Sequence, residues 1–282
     1  MNAIWSNWHP LEGASRNKAI PKTPGLYRVR RIEHISLEYI GQTGNSLRGR
    51  LGHLQGVLGD KMPYGDPHTA GPGLWAQRQD LNCDYEISIA EIRGDTAYRK
   101  GQECLEISHH RFKHHRSPTM NFGRMPEGWI KSSGNNRRLV LAGKRFRGHR
   151  DASESRVPDA AAPLDLHGEP KSNDWLGLTW QELRKDRAQA KTAGLYRALH
   201  KNSETLTYVG QSSTSIAARV SAHLAKATKP GHRQARFFNE TIIWEWADLS
   251  ELKRTQLLEI ENDLIASHML AHDRPPDAQF LG

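Results

Sequence analysis

Two short β-rich runs, GLYRVRR from Gly25 and LEYIG ending at Gly41, flank the polar stretch RIEHIS. That order predicts a β-hairpin, with Gly25 and Gly41 marking a turn or a close approach. The next segment, NSLRGRLGHLQ, changes period: Leu47, Leu51 and Leu54 share one helical face, with Asn45 or Ser46 available as the cap. Arg48 and Arg50 fall off that face. The same sequence of patterns returns later as GLYRALH from Gly194, TLTYVG ending at Gly210, the capping run SSTS and the helix IAARVSAHLAKA. There Ile216, Val220 and Leu224 form the apolar row and Arg219 lies off it.

Spacing turns this likeness into a repeat. Tyr27 and Tyr39 are twelve residues apart, with Arg50 eleven further on; Tyr196, Tyr208 and Arg219 keep both intervals, 169 residues later. A third strand follows in each copy, YEISIAEI (85–92) and TIIWEWADL (241–249). Each copy begins with a tryptophan-bearing lead-in, Trp5 and Trp8 in one and Trp175 and Trp180 in the other, expected to pack a short helix on the sheet with the tryptophans in the core. The expected fold class is α+β: two domains, each a small, mainly antiparallel three-stranded sheet flanked by helices. The expected division is 1–125, a basic segment and linker over 126–172, and 173–282.

The connecting stretches carry charge. Residues 131–150, KSSGNNRRLVLAGKRFRGHR, hold seven Lys or Arg and no acid. They fit a phosphate-binding ribbon or hairpin with Arg137, Arg138, Lys144, Arg145 and Arg147 as contacts; the alternative is a solvated basic tether. The Ala/Pro/Asp-rich run that follows reads as a flexible linker. In the second copy Lys226, Lys229, Arg233 and Arg236 form a positive run placed to meet phosphate, beside Phe237 and Phe238, which are expected in the core. The first copy has a longer Gly/Pro-rich insertion, QGVLGDKMPYGDPHTAGPGLWAQRQDLN, at the same place, where loops between chemically active elements carry substrate contacts.

Composition agrees. The chain has 282 residues, 37% hydrophobic, a net charge of +9 and a pI near 9.6. That length suits two domains, and that charge suits a polyanionic partner, since basic side chains displace counterions condensed on nucleic acid. Cys83 and Cys104 make neither a disulfide framework nor a CxxC metal site and are expected as reduced thiols in a cytoplasmic protein. The start of the chain shows no signal-peptide pattern, and no apolar run reaches the length that spans a bilayer. The lack of a GxxxxGK[ST] loop argues against ATP-driven translocation by this chain.

The pair of spaced tyrosines on adjacent strands followed by a helical arginine resembles the GIY-YIG nuclease superfamily, here written GLY…YIG and GLY…YVG. The superfamily also has a glutamate on a later helix and often an asparagine beyond it. Glu103 and Asn121 are eighteen residues apart, as are Glu261 and Gln279, and Pro118 and Pro276 each follow their glutamate by fifteen. This alignment selects Glu103 over Glu106, because Leu264 stands in place of the latter. The resemblance implies a metal-dependent DNA endonuclease with Glu103 and Glu261 on Mg²⁺ (or Mn²⁺). Arg50 and Arg219 would meet the phosphate, with Tyr27 and Tyr39, and Tyr196 and Tyr208, around the attacking water. Asn121 would buttress the first site, and Gln279 replaces it in the second. Some restriction-type relatives carry a histidine four residues after the arginine; His223 matches that position, and His53 lies at three. The partner would be double-stranded DNA, with both strands cut by one chain without a second copy, in a restriction or defence setting. The alternatives are a binding protein in which one or both copies have lost chemistry, and a repair or structure-specific nuclease. The run HHRFKHH (109–115) invites a zinc site through His110 and His114, or equally a basic face directed at DNA.

Overall fold

Two sheets with one topology account for the repeat. The structure, a computed structural model, describes residues 3–65, 67–154, 158–184, 188–229, 231–238 and 242–281. Its elements run β1 (His9–Pro10), β2 (Gly25–Arg31), β3 (Tyr39–Thr43), α1 (Leu47–Leu54), α2 (Gly71–Leu81), β4 (Tyr85–Glu91) and α3 (Thr96–His114). Next come β5 (Trp129–Ile130), α4 (Arg137–Leu141), β6 (His149–Arg150), β7 (Gln181–Glu182), β8 (Gly194–His200), β9 (Leu206–Ser212), α5 (Ile216–Ala227), β10 (Ile242–Asp248) and α6 (Arg254–His272). The sheets are ordered β1-β4-β2-β3 and β7-β10-β8-β9. Each is four-stranded, not three-stranded as expected. The tryptophan lead-ins supply the extra strand, a two-residue antiparallel edge in each copy; a short 3₁₀ turn, Trp175–Gly177, precedes it in the second, and the described residues of the first lead-in show no helix. Trp175 and Trp180 are buried, as expected, but Trp5 and Trp8 are half-exposed and stack with Arg28 and Arg30.

The registers repeat residue for residue. Tyr27 pairs with Gly41 and Val29 with Tyr39; Tyr196 pairs with Gly210 and Ala198 with Tyr208. Each tyrosine pair therefore sits diagonally on one sheet face, within reach across the strands. The glycines are fixed by this packing. A Cβ on Gly41 would lie 2.7 Å from the Tyr27 hydroxyl, and one on Gly210 would lie 2.4 Å from Tyr196 Cζ. Gly25 and Gly194 press equally hard on the neighbouring strand, where a Cβ would stand 2.2 Å from the carbonyl oxygens of Ala90 and Ala247.

The chain packs as two compact units whose limits differ from the expected division: Asn2–Gly94 with Ser117–Pro158, and Asp95–Arg116 with Asp159–Gly282. The first-copy unit has a core of Leu11, Val29, Leu47, Leu51, Leu54, Leu74, Tyr85 and Ile87. In the second-copy unit Trp175, Leu195, Val209, Ile260 and Leu264 form one cluster, and Tyr196, Ile216, Val220, Phe238 and Trp244 another.

Helix α3, although it follows the first sheet in sequence, belongs to the second-copy unit. It runs antiparallel along α6: a Cβ on Gly101 would meet Met269, the Asn262 amide donates to the Cys104 carbonyl at 3.0 Å, and Arg111 meets Glu259 at 3.4 Å and Asp263 at 3.0 Å. Arg111 is fully buried, so its charge is matched inside by those two carboxylates and by the carbonyl oxygens of Ala161 and Ala162. The same network ties down residues expected to form a flexible linker. Ala161 N–H donates to Glu259 Oε2 at 2.8 Å, Leu164 N–H donates to Asp263, and Ala161 and Leu166 are buried. Apolar side chains and paired backbone groups hold this part of the run in place. Residues 155–157 of it lie outside the described residues.

Candidate active site

Site two, in the second-copy unit, is built on β8, β9, α5 and α6. The hairpin places Tyr196 and Tyr208 with ring centroids 6.1 Å apart and nearly parallel. Ser215 caps α5 by accepting from Ala218 N–H at 3.2 Å, which sets the rotation of the helix: Ile216 and Val220 point inward and Arg219 stays exposed. One turn after Arg219, His223 turns inward, is 4% exposed, and sits 3.0 Å from the Tyr196 hydroxyl through Nε2. Phe238 and Trp244 pack around that imidazole with centroids 5.3 and 5.9 Å away. The expectation that Phe238 is core thus holds, and that core encloses the histidine. Helix α6 brings in Glu261, half-buried.

The electrostatics show these groups close together. Burial pushes the Glu261 carboxyl up to about 7, and the Arg219 charge pulls the other way. Burial also raises both phenols, Tyr208 to about 12 and Tyr196 further, again against Arg219; Glu261 adds to the rise in both. His223 is held down at about 4, first by burial and then by Arg219. At neutral pH both tyrosines and the histidine are uncharged, and Glu261 is balanced between its two forms. A cation beside a phenol would favour phenolate; here desolvation outweighs Arg219, so the phenols serve as hydrogen-bonding groups.

Gln279, in the place of the superfamily's asparagine, keeps that residue's structural bond. Its side-chain oxygen accepts from Val209 N–H at 3.1 Å. In the first copy Asn121 accepts from Ile40 N–H at 3.0 Å and donates to Ile40 O at 2.9 Å. Each steadies the strand that carries the second tyrosine.

The first copy brings together Tyr27, Tyr39, Arg50 and Asn121 in one unit, with the tyrosine centroids 5.9 Å apart. Ser46, not Asn45, caps α1, accepting from Gly49 N–H at 3.1 Å. Arg50 is half-exposed and donates to the Pro67 carbonyl. His53 does not turn inward: it is exposed, because three residues past the arginine the helix still faces out. The position four past Arg50 is Leu54, in the core. The imidazole beside Tyr27 is instead His68, from the insertion, a residue that neither spacing nor motif singles out. Its Nδ1 lies 3.3 Å from the Tyr27 hydroxyl and its Nε2 2.8 Å from the Arg50 carbonyl. Glu103 is half-buried on α3, at the same helical position as Glu261 on α6: both helices have nineteen residues and each glutamate is eighth. Both charges act on the Cys104 thiol, which burial raises. Neither Cys83 nor Cys104 forms a disulfide.

The basic segment forms a small two-stranded sheet, β5 with β6, and the short helix α4 between them. Arg137, Arg138 and Lys144 are exposed, while Arg145 and Arg147 stack on Tyr64 at 4.8 and 4.0 Å. In the second copy Lys229, Arg233 and Arg236 are exposed, the last stacked on Phe237. The zinc alternative for 109–115 finds no support: among the described residues no three His, Cys, Asp or Glu group to hold a metal ion. His110 is buried and held down at about 3 by desolvation, and Arg111 serves the internal ion pair. No helix among the described residues is long and apolar enough to cross a membrane.

No curated protein and no solved structure matches the chain. Residues 192–269 match the family model of the GIY-YIG catalytic domain. That span covers β8, β9, α5, β10 and most of α6, so the segment that builds site two is the part of the chain that is similar to the GIY-YIG superfamily.

Proposed function

We propose that the protein is a metal-dependent endonuclease that hydrolyses phosphodiester bonds in double-stranded DNA. The observation that carries this is the convergence of Tyr196, Tyr208, Arg219, His223 and Glu261 within one unit, inside the segment similar to GIY-YIG catalytic domains. Arg219, exposed at the rim, presents a planar fork to non-bridging phosphate oxygens. The neutral phenols of Tyr196 and Tyr208 orient the attacking water. The Tyr196 hydroxyl donates to His223 Nε2, which fixes the direction in which the phenol oxygen faces the water. Glu261 fits a divalent cation: it is a hard oxygen donor whose half-buried carboxylate has a raised proton affinity, and the site's other polar groups are neutral or positive. Mg²⁺ (or Mn²⁺) held by one carboxylate keeps several waters, and when bound it acidifies a water and offsets phosphate charge.

The repeat extends the proposal to the first copy, whose Glu103 matches Glu261 by its sequence spacing, so one chain cuts both strands. The exposed cations of the ribbon and of residues 229–236 supply sequence-independent affinity. We assign a restriction or defence role. A second reading, that one copy cuts and the other grips DNA, is favoured by one observation: the family match covers the second copy alone.

Supercoiled plasmid with Mg²⁺ separates these readings. Two working sites give linear product from the wild type and nicked circles from Glu103→Gln and from Glu261→Gln. One working site leaves one variant unaffected, and intact plasmid, linear and single-stranded DNA with wild-type protein refutes the nuclease assignment. Run-off mapping of the ends then tests the role, since a restriction enzyme cuts at a fixed sequence and a repair nuclease at a fixed structure.

A further inference from the structure

The structure assigns to His68 the place in the first copy that His223 holds in the second: a positioning residue that orients the hydroxyl of Tyr27. This rests on the proposed nuclease function and goes beyond it, because the imidazole comes from a different segment of chain.

The two copies share strand register, tyrosine spacing and arginine position, yet they diverge at this one contact. In the second copy the histidine is on the arginine helix, a turn past Arg219. In the first, that helical position is Leu54, 1% exposed, and His53 beside it is exposed. A packing requirement alone would be met there by any apolar residue from the insertion. Instead the insertion returns an imidazole, 5% exposed, edge-on to Tyr27 with centroids 6.2 Å apart; the corresponding separation for Tyr196 and His223 is 5.8 Å. Two unrelated segments thus deliver an imidazole to the corresponding phenol of each copy.

The second bond of His68 fixes its chemistry. The Arg50 carbonyl can only accept, so Nε2 carries the hydrogen and donates to it at 2.8 Å. In the neutral ring Nδ1 is then an acceptor, and the Tyr27 hydroxyl donates to it. Burial and the Arg50 charge hold the imidazole down at about 4, so it is neutral at working pH. The Tyr27 hydroxyl hydrogen is thereby directed at Nδ1, which fixes the rotation of that hydroxyl. The carbonyl bond also ties the ring to the residue whose guanidinium is to meet phosphate. Arg50 donates to Pro67, adjacent to His68, so the insertion and the arginine helix hold each other at two consecutive residues. His68 also lines a cleft of about 480 Å³ with His53, Lys61, Tyr64, Asn135 and Arg147, which opens its surroundings to a ligand.

The test uses the full chain with Glu261→Gln, which silences site two, and follows plasmid nicking by the first copy. Adding His68→Leu is expected to lower kcat at least tenfold with KM for DNA within twofold. His68→Asn, whose amide oxygen can accept from Tyr27, should recover part of that loss. His53→Ala should stay within twofold of its parent, and thermal melting checks that all variants fold. Independently of activity, ¹⁵N NMR of labelled histidines should show His68 as the neutral Nε2–H tautomer, identified by its loss in His68→Asn, with the Nδ1 signal moving in Tyr27→Phe. The assignment is overturned if a folded His68→Leu nicks like its parent, if His53→Ala is the damaging change, or if the tautomer is Nδ1–H. A wild type that linearises DNA while Glu261→Gln fails to nick overturns it and leaves the nuclease function standing. A wild type that does not cut refutes both.

Discussion

Glu261→Gln should make the metal-free protein more stable at alkaline pH, although it removes the proposed metal ligand. The carboxyl lies half-buried among two phenols, and its affinity for a proton rises from 4.5 to about 7 on folding. A group whose folded value lies above its unfolded value holds its proton more tightly in the native state. It adds no penalty below about 4.5, and it costs stability progressively as pH rises toward 7 and beyond. At about 1.4 kcal/mol per tenfold change in proton affinity the full cost is about 3 kcal/mol, reduced to about 2 kcal/mol by solvent reaching a group that is only half-buried. Glutamine has the same shape and no such titration. Urea denaturation of wild type and variant in chelator should therefore give a stability difference that shifts in favour of Glu261→Gln by about 2 kcal/mol between pH 4.5 and pH 8. Adding Mg²⁺ at pH 8 should then raise the wild type and leave the variant unchanged, since only a ligand that binds the native state stabilises it. A difference that stays flat across this pH range would refute the claim that Glu261 is desolvated. A Mg²⁺ effect equal in both proteins would refute its role as the metal carboxylate.

Gly210→Ala places a methyl 2.4 Å from Tyr196 Cζ and 2.8 Å from Tyr208 Cε1; the rings must move, and calorimetry should show a loss of about 1–3 kcal/mol together with loss of cutting by site two. Arg111→Ala leaves the buried Glu259 and Asp263 carboxylates without their cation, and urea denaturation should show about 3–5 kcal/mol of destabilisation. Replacing Arg137, Arg138 and Lys144 together with alanine removes exposed cations of the ribbon; the slope of log affinity for duplex DNA against log salt should fall by up to about 0.9 for each phosphate these side chains neutralise, with folding stability unchanged.

Local chemistry made much of this protein legible in its sequence. Alternating apolar residues around Tyr27 and Tyr39 specify a hairpin because side chains alternate faces along a strand, and the Leu47–Leu51–Leu54 row specifies a helix that leaves Arg50 off its apolar face. The repeated spacing carried the same geometry to Tyr196, Tyr208 and Arg219, and Glu261 and Gln279 followed from a shared interval. What spacing cannot carry is a contact made across the chain. His53 and His68 are both histidines after Arg50, and only the folded insertion decides which meets Tyr27. Helix α3 follows the first sheet in sequence, yet the buried charge of Arg111 finds its carboxylates on α6, so tertiary pairing and not chain order set the limits of the units. Residues 158–166 read as a tether because proline, alanine and aspartate form no periodic pattern; they are held by the burial of Ala161 and Leu166 and by hydrogen bonds to Arg111, Glu259 and Asp263. The proton affinity of Glu261 is likewise a property of the space around it, since a carboxylate takes its strength from what removes its water and from the charge of Arg219 brought beside it.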